Sequence, residues 1–270
     1  MQAISRFFRP SNISLIRELV VSDFKLRYQG SVLGYLWSLL RPLFMFGVLF
    51  VVFTRIIKLG NKVEFYAVYL LLGIVIWTFF VEATVSGMNA ITGRGDLIRK
   101  VSIPKYTIVF STNISAFVNF FFNMIVVAVF MVILRVPFHP LGWLILPLLL
   151  LELVVLCLSI SFILAALFVK FRDFSHIWEV VLQALFYATP LIYTMDLPPL
   201  RIAKLIMLSP LAQIVQDARY LIVTKQTITG GQLLQHYRLG HLVPLVSIFV
   251  LAVFAAWYFR RSSKNFAEEL

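Results

Sequence analysis

Gly93 to Lys105, reading GRGDLIRKVSIPK, is a short polar stretch between two long apolar runs, and it carries four positive charges and one negative charge. This break decides the fold, because the runs on either side of it must be buried in something. The chain is 61% apolar, with a mean hydropathy of +0.93, well above the roughly 45–50% apolar content of soluble domains. A globule of 270 residues cannot hide that much apolar surface in a core of its own. Hydrocarbon is therefore the solvent, and the polar stretch is a surface loop where the chain can meet a partner.

Working outward from the loop, runs 65–91 and 106–134 flank it directly, and 33–57, 141–169, 177–193 and 242–259 complete a set of six. Each reaches or approaches the roughly 20 helical residues that cross a hydrocarbon core about 30 Å thick. None alternates apolar with polar residues as a membrane β-barrel strand does, and backbone groups in lipid must be bonded within their own segment. The expectation is an all-α integral membrane protein with six transmembrane helices, forming one domain over residues 1–270. Residues 1–29 show no isolated apolar core followed by small residues, so the first span acts as its own insertion signal.

Net charge is +12, yet its distribution argues against nucleic acid as the partner. With the N-terminus inside, segments 1–32, 93–105, 170–176 and 260–270 hold 14 Lys and Arg, against 9 in segments 55–65, 135–141 and 194–241. That bias places both termini in the cytoplasm, and the surplus suits anionic lipid headgroups. Cys157, the single cysteine, excludes an intrachain disulfide and a thiolate metal site.

Residues 12–29 do not span. Ile13, Ile16, Val20 and Phe24 recur at helical spacing opposite Glu18, Ser22, Lys25 and Gln29, and Asp23 and Arg27 form an i,i+4 pair. Such a helix lies in the inner headgroup plane or caps the bundle. Segment 194–241 is too long and too apolar for a structureless loop. Short helices, re-entrant or on the outer face, are expected there.

Chemistry is sparse. There is no phosphate-binding loop, no metal-ligand cluster and no catalytic constellation of paired acids or a nucleophile with its base. His176 and Glu179 are read as a hydrogen-bonded structural pair. Glu82 and Glu152 lie inside spans and are read as carboxyls that order helix packing, and Arg41 snorkels inward. Trp37, Phe44, Phe186, Tyr187 and Tyr193 mark the first and fifth spans and their ends. Aromatic faces there serve either as interfacial anchors or as a stacking track for sugar rings.

An ordered series of motifs runs along nearly the whole chain: Asp23-Phe-Lys-Leu-Arg-Tyr28, Ser31-Val-Leu-Gly34, Trp37, Pro42, Asp96-Leu-Ile-Arg-Lys100 and Pro104. It continues through Phe171-Arg-Asp173, Thr189-Pro-Leu-Ile-Tyr193, Pro198, Ser209-Pro210, Arg219 and Phe266-Ala-Glu268. The series resembles the permease subunits of type-2 ABC exporters that move lipid-linked polysaccharides such as O-antigen or teichoic acid. That resemblance implies a half-transporter in the bacterial inner (plasma) membrane, without catalytic, cofactor or metal residues of its own. A second copy of the chain, two ATP-binding cassette subunits carrying ATP and Mg, lipid-linked polysaccharide and membrane lipids are the implied partners.

By the same resemblance, residues 93–105 are the coupling loop, with Leu97, Ile98 and Val101 as buried anchors for the ATPase. Arg94, Asp96, Arg99 and Lys100 complete that contact. Glu18, Asp23, Lys25 and Arg27 lie on the interface helix, Arg172 and Asp173 form an ion pair at the inner end of the fourth span, and 194–241 is the outer gate. Trp37, Phe44, Phe186, Tyr187 and Tyr193 become candidates for lining the glycan path. A capsule-polymer exporter, a proton-driven glycolipid flippase and a membrane glycan-transfer enzyme are the alternatives.

Overall fold

The computed structural model describes residues 10–28, 34, 36–58, 63–100, 103–233 and 243–269, with the side chains of 10–12, 26–28 and 267–268 excepted. No β-strand occurs among the described residues. In chain order the helices are α1 (Pro10–Tyr28), α2 (Leu36–Val51, prolonged by a π-helical turn Val52–Ile56), α3 (Tyr66–Asn89), α4 (Gly95–Lys100), α5 (Lys105–Ile133) and α6 (Pro140–Lys170). Then come α7 (Phe174–Ala188), α8 (Leu200–Ile206), α9 (Pro210–Ile222), α10 (Gly230–Leu233), α11 (Val243–Ser262) and α12 (Phe266–Glu269).

Five of these are long and apolar enough to cross a membrane: α2 with its π turn, α3, α5, α6 and α11. The sixth expected span, 177–193, is helical over only part of its length. It yields only the 15 residues of α7, about 22 Å at 1.5 Å per residue. Pro190 is the cause, because the residue before a proline is pushed out of the helical region; Thr189 is extended, with φ −87° and ψ 135°. Even so, α7 runs antiparallel along α3. Trp178 Nε1 donates to Thr84 Oγ1 at 3.3 Å, and farther along the Phe186 ring meets Trp77 edge-on at 5.5 Å.

The axis of the bundle is α3, apolar around most of its circumference as a largely surrounded helix must be. Seventeen of its 24 residues are buried, against two of 16 in α2. Helices α5 and α6 flank it. At one crossing Ser161 Oγ donates to Ala83 O at 3.0 Å, and a Cβ on Gly87 would stand 2.4 Å from Ser161 Cβ. The missing side chain lets α3 and α6 touch, as small residues do in membrane bundles. Polar side chains on α5 return to their own helix: Ser111, Thr112 and Asn113 bond the carbonyls of Ile108 and Val109. Within hydrocarbon that self-satisfaction removes the cost of carrying them.

A second cluster closes one end of the bundle. It gathers Leu19 of α1, Ile91, Ile98 of α4, Ile108 of α5, Val169 of α6, Phe259 of α11 and Phe266 of α12. The N-terminal helix, the 93–100 loop and the C-terminal tail therefore share one end. The buried face of α1 is Ile16 and Leu19, with Leu15 beside them. Ile13, expected on the apolar face, is 53% exposed, because α1 rests on protein with one edge and leaves the other outward.

Candidate functional site

At the closed end, Arg94 joins three elements. Its guanidinium bonds the Asp23 carboxylate of α1 and donates to Ser111 Oγ of α5 at 3.3 Å. Asp23 thus pairs across the fold with Arg94; the side chain of its expected partner Arg27 lies outside the described residues, as does Val101. Lys105 Nζ donates to Ser263 O and sits 5.4 Å over the Phe266 ring, which fastens the tail beside α4. Ile98 is 8% exposed and packs into the chain's own core, and Leu97 packs partly against it. Asp96, Arg99 and Lys100 stay on the outer surface of α4, and Glu18 and Lys25 on that of α1.

Arg172 and Asp173 do not form an ion pair. Arg172 lies 5.6 Å over the Phe168 ring, while Asp173 opens α7, its carbonyl accepting from His176 N at 3.1 Å. Both residues are exposed, where an ion pair gains little over hydration. His176 and Glu179 are both exposed and do not bond each other.

A cavity of about 920 Å³ opens between α2, α3 and α7. Its wall includes Trp37, Ser38 and Arg41 of α2, Trp77, Glu82 and Asn89 of α3, Asn119 of α5, and Ser175, Trp178 and Glu179 of α7. These are mostly the parts of α2, α3 and α7 nearest the end bearing α4, so the cavity rises from that end towards the middle of the bundle. Glu82 accepts from Asn119 Nδ2 at 2.6 Å; it orders helix packing as expected and also faces the cavity.

The aromatics chosen from sequence divide. Trp37 lines the cavity. Phe44 and Tyr187 are 62% and 70% exposed on outer faces. Phe186 packs on Trp77, and the Tyr193 hydroxyl donates to Tyr187 O at 3.2 Å. Trp77 and Trp178 were not singled out. Trp77 sits mid-span, where a tryptophan is not an interfacial anchor, and that placement was the available signal.

At the opposite end a buried guanidinium fastens α9. Arg219 has no solvent exposure. Its Nε donates to Tyr69 O at 3.0 Å, Nη1 to Pro190 O at 2.5 Å and Nη2 to Leu191 O at 2.6 Å. Its carbon centre lies 3.6 Å from the centroid of the Tyr69 ring. A Cβ on Gly73 would stand 2.4 Å from Nη2. One residue thus ties α9 to α3 and to the non-helical link after α7, and Tyr66 reinforces the link through its hydroxyl on Ile192 O at 3.0 Å.

Residues 14–223, from α1 through the end of α9, match the ABC-2 type transporter family. The chain belongs to that family. Similar proteins include an O-antigen export system permease protein RfbA of Klebsiella pneumoniae, 25% identical over 264 residues and covering 96% of this chain and 97% of the relative. Another, the O-antigen export system permease protein RfbA of Myxococcus xanthus, is 28% identical over 263 residues, with 95% of each covered. This ABC-2 permease is accordingly a multi-pass transport component without a catalytic domain. ATP binding in the family lies in separate subunits with which such permeases work. The permease's cavity and its Arg219 fastening fall within the matched residues, whereas the closed end also draws Phe259 and Phe266 from beyond them.

Proposed function

We propose that the chain is the membrane half of an ATP-driven exporter that carries lipid-linked polysaccharide, O-antigen-like or teichoic-acid-like, from the cytoplasmic to the outer face of a bacterial inner membrane. Two copies pair, and each engages an ATP-binding cassette subunit that holds ATP and Mg. The observation that carries this reading is the cavity between α2, α3 and α7, with tryptophans, amides and carboxyls on its wall and its mouth towards α4. Hydrocarbon would not tolerate that lining, whereas a hydrated glycan needs it: rings stack on aromatic faces and hydroxyls bond amides and carboxyls.

In this reading α7 is the fifth of six crossings, completed by the extended residues after Ala188 that Arg219 holds. Both termini are then cytoplasmic, in keeping with the charge bias and the shared end of α1 and α12. Helices α8 and α9 form a re-entrant outer gate. Leu200 and Leu205 of α8 face outward at 61% and 67% exposure, and α9 is wedged into the bundle through Leu211, Ile214 and Ala218.

The coupling surface is the exposed face of α4, Asp96, Arg99 and Lys100, with α1 beside it through the Asp23–Arg94 pair. Closure of the nucleotide subunits pushes on α4, and the rigid end cluster passes the movement to α3, α5 and α6. An ATPase bias of this kind works only through different affinities for the two permease states. The cavity then opens towards the outer face while the lipid anchor stays in the bilayer.

The test is reconstitution. In vesicles holding the permease and its ATPase, lipid-linked glycan should become accessible on the far side only with ATP. Translocation by the permease alone without nucleotide would refute the reading.

A further inference from the structure

We propose that the cavity between α2, α3 and α7 selects uncharged glycan and rejects polyanionic polymer, with Glu82 and Glu179 as the discriminating groups. The inference rests on the glycan-exporter reading and narrows its substrate class. Two carboxyls and one guanidinium, that of Arg41, are on the described wall, which leaves it with one negative charge in excess. The Glu82 carboxyl is held in place, since Asn119 of the neighbouring α5 donates to it at 2.6 Å. Glu179 stands exposed on α7 at the mouth. Trp178 is fixed by its bond to Thr84, and Trp37, half exposed on α2, is the other large stacking face at the mouth.

These groups suit a neutral hexose polymer. Its hydroxyls donate to carboxylates in charge-assisted hydrogen bonds, and the apolar ring faces of the sugars lie against indole. A phosphodiester polymer has no such donor at its phosphates and brings a negative charge past each carboxylate. Within low-dielectric walls that repulsion is stronger than in water, and it acts as an exclusion built against the wrong substrate.

The test uses the whole complex, permease with its ATPase, in vesicles of neutral lipid. Two probes share one polyprenyl-diphosphate anchor and a similar length: a neutral hexose polymer and a poly(glycerol phosphate). Transport of the neutral probe should exceed that of the anionic one by about tenfold or more. Glu82→Gln and Glu179→Gln should each shrink the ratio, and the double substitution should bring it below about threefold. Glu179, being exposed, carries this arm even where Glu82→Gln impairs folding. Equal transport of both probes by the native complex, or a ratio indifferent to the substitutions, overturns charge selection and leaves the exporter standing. If neither probe moves, the exporter reading falls and takes this inference with it.

Discussion

Arg219 is the residue that fastens the end of the bundle opposite α4. A guanidinium in a dry site is tolerated only when its donors are matched, and here three backbone carbonyls and an aromatic face do the matching, with no carboxylate in salt-bridge reach among the described residues. Lysine keeps the charge and loses the planar fork. Arg219→Lys should therefore lower the stability of the purified permease by about 3 kcal/mol, read as a drop in the thermal midpoint of tryptophan fluorescence. An unchanged midpoint would mean that the fork is dispensable. Gly73→Ala tests the same contact from the other side. Its new methyl collides with Nη2, and overpacking of this sort costs about 1–3 kcal/mol. The motif series includes Arg219 but names no partner for it. An arginine in segment 194–241 reads as an outer-loop charge until folding brings Tyr69, Gly73 and Pro190 around it.

Among the elements, α1 and the turn leading into α4 are coupled by one ion pair, Asp23 with Arg94, that neither segment reveals alone. Its groups are 17% and 19% exposed, so a double-substitution cycle with Asp23→Asn and Arg94→Gln should give a coupling of about 1 kcal/mol in thermal unfolding. Strict additivity would show that the pair contributes nothing. The surface of α4 separates into two faces with different expected phenotypes. Arg99→Glu combined with Lys100→Glu should abolish copurification with the ATPase subunit while leaving the melting temperature in place. Ile98→Asp should instead unfold the end cluster, because it puts a charge into the core at a cost of several kcal/mol. If the Arg99 and Lys100 changes leave assembly intact, the coupling surface lies elsewhere. Sequence placed the loop correctly between two spans, but it gave Ile98 to a partner when the residue belongs to the permease's own core. Helical spacing shows that Ile98 is apolar and cannot show which apolar surface it meets.

For the whole molecule, the outstanding feature is an exposed face on α2 and α7 that continues the cavity wall. Arg41 and Glu179 on this face are both exposed, and charged groups are poor neighbours for lipid tails. Pairing of two copies along α2 and α7 would keep them away from lipid while leaving them on the cavity wall. In a Cys157→Ser background, Phe44→Cys should cross-link between copies in native membranes, since that site is 62% exposed on α2. Val132→Cys on α5, 78% exposed on another helix, should remain monomeric. The reverse pattern would move the interface to α5.

Length and composition alone determined an all-helical membrane body, five of its crossings, and the loop at Gly93–Lys105, because transfer of long apolar runs into hydrocarbon is a local property that each run carries in its own residues. The motif order determined the family. Folding decided the rest: the shortened α7, the fastening of α9 by Arg219, the meeting of Asp23 with Arg94, and the gathering of Glu82, Glu179 and three tryptophans around one cavity. Those features depend on which helix lies against which, and packing between distant segments is set by mutual fit and hydrogen bonding that no single segment encodes.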